Sequence, residues 1–210
     1  MYRPDYHRAT RNAYRTLLAA GIDRLPVNVV EICARCHDTT LVSFRTARGI
    51  MGWDFDPFFE GPSRTALTIR RWLDGRAYHT IIWNDEEISI TSGQGRFAVA
   101  HELAHVILRH QGGRHPAMEA EADLFAQHLL CPRPVLDVLQ PSGPQEISYL
   151  CGVSTAAARI VAGTLRQENR YVEPDIWSKI FAAFNLDEKR STADFLSPFH
   201  QHRLARREIY

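Results

Sequence analysis

From Phe97 to Leu108 the chain is apolar nearly all round its helical circumference, and only His101, Glu102 and His105 interrupt it. A helix of that composition is buried. Two imidazoles buried without a partner would be costly, so the pattern asks what they hold. His101 and His105 stand four residues apart, leave the helix on one face and can present two ring nitrogens to a single tetrahedral cation. Spacings of two or five would splay them. Glu102 lies one step around the cylinder, where its carboxylate can accept a proton from water beside the cation while the cation acts as a Lewis acid. With ten His and twelve Glu in 210 residues, chance gives this five-residue pattern about 0.03 times.

A catalytic zinc takes three protein ligands and keeps one position open. The extended pattern that supplies a third histidine is excluded, because Leu108 stands at its glycine and Gln111 at its histidine. His110, five residues past His105, is off the ligand face and reads as a surface residue at a helix end. The next helix offers carboxylates instead. Gly112-Gly113 should end the first helix, Pro116 should open another, and Pro132 and Pro134 should close it. Its apolar stripe is Met118, Ala122, Phe125, Ala126, Leu129 and Leu130, and Glu119 and Asp123, at i and i+4, flank that stripe together. Glu121 points elsewhere. Glu119 is therefore the expected third ligand of a Zn2+ ion, with Asp123 hydrogen-bonded to the outer nitrogen of a ligand histidine. The competing reading of Glu119 is a solvated carboxylate favoured by the helix dipole.

Around this centre the chain reads as α+β: helices, a small β-sheet, then helices, with the sheet packed on a mainly helical zincin-type core. A first helix fits Pro4 to Ala20 and a second Val27 to Cys36. Strands fit Thr39 to Phe44, Thr65 to Ile69 and Tyr78 to Trp83, while Arg45 to Pro62 shows no stable period. Thr91 and Gln94 fit a capping box for the histidine-bearing helix. The expected division is residues 1–140 as the metal-binding domain and 141–210 as a helical C-terminal region. Within that region about 145–166 reads as helix, turn, helix, with Ser154 as an N-cap.

Twenty-five basic against twenty-four acidic side chains give a net charge of +1, which lacks the basic excess of a general nucleic-acid binder. Charged residues run through the first twenty positions, so no secretory h-region is expected, nor any membrane span; the expected location is cytoplasmic. The four cysteines should then stay reduced. Cys33-Ala34-Arg35-Cys36-His37 has the spelling of a haem attachment site, but its thiols lie on an apolar helix surface and read as small buried hydrophobes.

The run Arg96 to His105, then Glu119-Ala120-Glu121-Ala122-Asp123-Leu124-Phe125-Ala126, then Leu129-Leu130-Cys131-Pro132, resembles the ImmA/IrrE metallopeptidases, which are gluzincin-like. The likeness extends over roughly 5–168, with supporting matches at Leu25-Pro26-Val27 and Ile81-Ile82-Trp83-Asn84. It implies zinc on His101, His105 and Glu119, Glu102 as general base, and a partner transcriptional repressor of helix-turn-helix type as the cleaved substrate. Two other classes compete: a DNA-binding module built on 145–166, in which Arg159 and Arg166 would be the few long polar groups, and a catalytically silent binding protein. Tyr149, Tyr171 and His115 are unranked candidates to stabilise an oxyanion.

Overall fold

The computed structural model describes residues 3–52, 65–111, 115–168 and 173–186. Its elements are α1 (Tyr6–Ala19), α2 (Val29–Arg35), β1 (Thr39–Ser43), α3 (Phe44–Met51), β2 (Ala66–Leu73) and β3 (Arg76–Trp83). They are followed by α4 (Gly93–Ile107), α5 (Pro116–Leu130), α6 (Arg133–Leu139), α7 (Pro144–Cys151), α8 (Thr155–Glu168) and α9 (Pro174–Ala183). The class is α+β, as the sequence pattern implies. No helix among the described residues is long and apolar enough to cross a membrane.

β3 is the middle strand, pairing β1 in parallel and β2 antiparallel, so β2 forms one edge of the sheet. Side chains alternate along a strand, and consecutive residues of β3 accordingly enter different cores. Ile81 joins the main core, and Ile82 packs with Phe44 and Ala47 of α3 on the other face. Helix α3 lies in a stretch whose composition suggests no element. Its signals are short and local: Ser43 accepts from Thr46 N–H, Phe44 and Ala47 share the buried face, and Gly52 ends the helix at φ 60°. The rest of the stretch that shows no period, from position 53 onward to 62, lies outside the described residues.

Helix α4 packs against α5 on one side and against β2 and β3 on the other. Its start lies one residue later than the capping pattern suggests. Ser92, not Thr91, is the N-cap and accepts from Gly95 N–H at 3.0 Å, while the Thr91 hydroxyl pairs with Ser89 Oγ at 2.8 Å. The close approach there requires two glycines. A side chain on Gly95 would run into Ser89 O, and one on Gly93 would come within 2.7 Å of Ser154 N. Buried Arg96 then clamps α4 to two distant turns, donating to Cys151 O at 2.9 Å, Gly152 O at 2.8 Å and Val27 O at 2.7 Å. One apolar core runs through Leu17, Leu103, Phe125, Ile147, Val161 and Phe184, so α7, α8 and α9 share it with the histidine-bearing helix.

Cys33 lies in that core, and burial, with Cys36 nearby, pushes its thiol up to about 12. All four cysteines are free thiols. A thiol so reluctant to ionise is a poor ligand and a poor nucleophile, which fits the reading of Cys33 as a small hydrophobe.

Candidate active site

The two turns of α4 that carry His101 and His105 aim both Nε2 atoms at one point, 3.1 Å apart. Helix α5 brings the Glu119 carboxylate to the same point, with Oε2 3.5 Å from His101 Nε2 and Oε1 3.7 Å from His105 Nε2. Zinc bound tetrahedrally by nitrogen and oxygen at about 2.0–2.1 Å has ligand–ligand edges of about 3.3–3.4 Å. The three separations bracket that edge, and two imidazoles with one carboxylate are a donor set that zinc accepts, so the residues fit the ion. These side chains are 17%, 21% and 33% exposed, which leaves the point open on one side.

The outer nitrogen of His101 is held as well. Asp123 Oδ1 lies 2.9 Å from His101 Nδ1, and a carboxylate there is satisfied only by a proton on Nδ1, so the Nε2 lone pair faces the other donors. Burial works to lower the basicity of His101. The hydrogen bond to Asp123 and the negative charges of Glu102, Asp123 and Glu119 outweigh it and hold the ring's pKa above the usual histidine value. The point between the donors thus favours positive charge, supplied by a proton or by a metal cation. Asp123→Ala is expected to weaken zinc binding by about 10–100-fold, checked by competition with a chromophoric chelator; unchanged affinity would leave Asp123 as an exposed surface carboxylate.

Glu102, partly buried, is held from the sheet: Thr68 Oγ1 of β2 donates to Glu102 Oε2 at 2.8 Å. No signal in the sequence marks Thr68, which is 34 positions away and looks like any other strand threonine. The bond matters because a general base must be aimed, and χ angles of a glutamate are otherwise loose.

One residue departs from the sequence reading. His110 is not at the surface: it is buried, with Nδ1 2.9 Å from His105 Nδ1 and Nε2 2.9 Å from Glu121 Oε2. Projection by helical phase assumes that α4 continues through His110, whereas the helix stops at Ile107 and Arg109, at φ 53°, turns the chain back beneath His105. Glu121 does point away from the three-donor cluster, but into the protein, where it is fully buried.

The expected helix-turn-helix segment is present as α7 and α8, and Ser154 Oγ accepts from Ala157 N–H. Its turn, however, packs on α4 through Arg96, Gly93 and the buried Val153. Arg159 is exposed, and the side chain of Arg166 is outside the described residues. Of the oxyanion candidates, His115 caps α5 by accepting from Ala117 N–H, Tyr149 packs against the main core, and Tyr171 lies outside the described residues, as do Gly112 and Gly113.

Compared with known proteins, residues 81–160 match a peptidase family, M78, described as the IrrE N-terminal-like domain. The matched span holds the end of β3, all of α4, α5, α6 and α7, and the first part of α8. His101, Glu102, His105, Glu119 and Asp123 all fall within it. No curated protein and no solved structure matches the chain.

Proposed function

We propose that this chain, an ImmA/IrrE-family metallopeptidase by its match to the IrrE N-terminal-like domain, is a zinc-dependent endopeptidase that cuts a partner transcriptional repressor of helix-turn-helix type. The observation that carries the metal and the chemistry is the meeting of His101 Nε2, His105 Nε2 and the Glu119 carboxylate, one oxygen toward each histidine, at zinc-like separations beside a partly exposed opening. A bound zinc would supply Lewis-acid polarisation of the scissile carbonyl and would make a neighbouring water more acidic. The chain does the rest. Glu102, held by Thr68, accepts the proton from the attacking water and can return it to the leaving amine. Asp123 keeps the His101 lone pair aimed at the ion.

The edge strand β2 adds a place for substrate. Among the described residues nothing pairs with its outer edge, and Thr68 puts that strand beside Glu102. An extended peptide laid along such an edge gains main-chain hydrogen bonds without any fixed side-chain sequence, so specificity must come from the partner's own shape or from flanking contacts. The family resemblance motivates the choice of a repressor as that partner. Packing of the α7–α8 turn against α4 favours a structural or docking role for this pair of helices over insertion into a DNA groove.

The test is incubation of the purified protein, stripped of metal and then with zinc restored, with any repressor encoded beside it. One discrete cut that requires zinc is expected. A repressor left whole under both conditions, yet retained by the protein in a pull-down, would replace the peptidase with a binding protein that keeps the fold.

A further inference from the structure

Behind His105 lies a second layer of polar groups. His105 Nδ1 meets His110 Nδ1 at 2.9 Å, and His110 Nε2 meets Glu121 Oε2 at 2.9 Å. The side chains of His110 and Glu121 are 5% and 0% exposed. Glu121 Oε1 accepts from Asp5 N–H at 2.8 Å, and the Arg8 guanidinium stands 3.6 Å from Oε2 while donating through its other amino group to Leu108 O. The backbone of His110 is fixed too, its N–H donating to His105 O at 3.0 Å and its O accepting from Arg70 Nη2 at 2.6 Å. The elements around the active site therefore converge on His110 and its partner Glu121: α4 before His110, α5 through Glu121 itself, α1 through Arg8 on Glu121, and β2 through Arg70 on the His110 carbonyl.

Donor and acceptor roles along the chain follow from its end. A carboxylate that already receives Asp5 N–H and faces a guanidinium is an acceptor, so His110 must present Nε2–H to it. In a neutral His110 the Nδ1 is then an acceptor, and the proton that satisfies the Nδ1–Nδ1 contact is the one His105 carries on Nδ1 when a cation takes its Nε2. With that proton on Nδ1, His105 is left with its lone pair on Nε2, the atom that faces His101 and Glu119. A buried Arg8–Glu121 ion pair could by itself be a tie between α1 and α5, but it would not need a histidine inserted between Glu121 and the ligand cluster.

We infer that His110 and Glu121, backed by Arg8, are positioning residues that fix the tautomer and orientation of His105 for a divalent cation, as Asp123 does for His101. The inference rests on the zinc reading above and adds to it that the two ligand histidines are held from opposite sides, one by an exposed carboxylate and one by a buried relay. It also makes Glu121, which the helical phase sets aside, part of the metal centre at one remove.

The experiment uses the full chain with ¹⁵N-labelled histidine: zinc affinity by chelator competition and ring tautomers by NMR, for the wild type, Glu121→Gln and His110→Gln. Zinc affinity is expected to fall about 10–100-fold in each variant. In the zinc-loaded wild type, His105 should carry metal on Nε2 and a proton on Nδ1, with the His110 proton on Nε2. Variants that melt earlier without zinc but bind it with wild-type affinity once folded would show a purely structural tie and overturn the inference. So would metal on His105 Nδ1 or a proton on His110 Nδ1, a result that needs no variant and decides the matter if the variants fail to fold. A wild type that takes up no zinc defeats the metal reading and the relay with it, whereas zinc uptake that the variants leave undiminished defeats the relay alone.

Discussion

Glu102→Gln is expected to lower the rate of repressor cleavage by about 10²–10⁴-fold or more while zinc content stays at the wild-type level. The substitution keeps the length and planarity of the side chain, and Thr68 Oγ1 can donate to an amide oxygen as it does to Glu102 Oε2. What disappears is the capacity to accept a proton. His101, His105 and Glu119 keep their places, because Glu102 leaves α4 beside the ligand pair and not from its face. Cleavage rate and elemental zinc should be measured on the same preparations. Undiminished cleavage by the variant would remove Glu102 from the chemistry and point to a contaminating protease. Thr68 enters the same argument as the group that aims the base, since it belongs to the strand along which a peptide could lie.

Which parts of this site can be read from the sequence depends on how far the chain's local geometry reaches. Within one helix, spacing is direction: four residues place His101 and His105 on a common face, and the structure brings their Nε2 atoms to 3.1 Å. The same rule puts Glu119 and Asp123 together on α5, where one approaches both histidines and the other bonds His101 Nδ1. It fails where the helix stops. Position 110 is projected along an α4 that ends at Ile107, and a single left-handed residue, Arg109, reverses the outcome by folding His110 under His105. Contacts between elements whose residues carry no spacing pattern of their own leave no mark in the sequence. Thr68 to Glu102 spans 34 positions and Arg8 to Leu108 spans 100, and each depends on how a strand or a helix packs on α4. The fold class is legible for a different reason, because alternation in β3 and the long apolar faces of α4 and α5 are properties of single elements. Short α3 escapes because eight residues with two buried apolar side chains and a cap are too few to make a period.

The metal centre itself gives the last large effect. Wild-type protein prepared without chelators is expected to hold one zinc per chain, and His101→Ala, His105→Ala and Glu119→Ala should each empty the site, because two remaining protein ligands hold the ion poorly. The loss should exceed the ~10–100-fold expected when only an outer hydrogen-bond partner such as Asp123 is removed. That ordering separates direct from indirect contributions, since all of these side chains lie within one connected cluster. Glu119 is the sharper case. Its rival description, a solvated carboxylate stabilised by the dipole at the start of α5, predicts at most a small change in helix stability and none in zinc content on Glu119→Ala. The geometry opposes that description: a carboxylate with only water and the dipole to satisfy has no reason to sit 3.5 and 3.7 Å from two imidazole nitrogens whose outer sides are already bonded. Elemental analysis of the wild type and the three variants side by side decides between them, and a Glu119→Ala variant that still holds one zinc per chain would mean that the third ligand is another group.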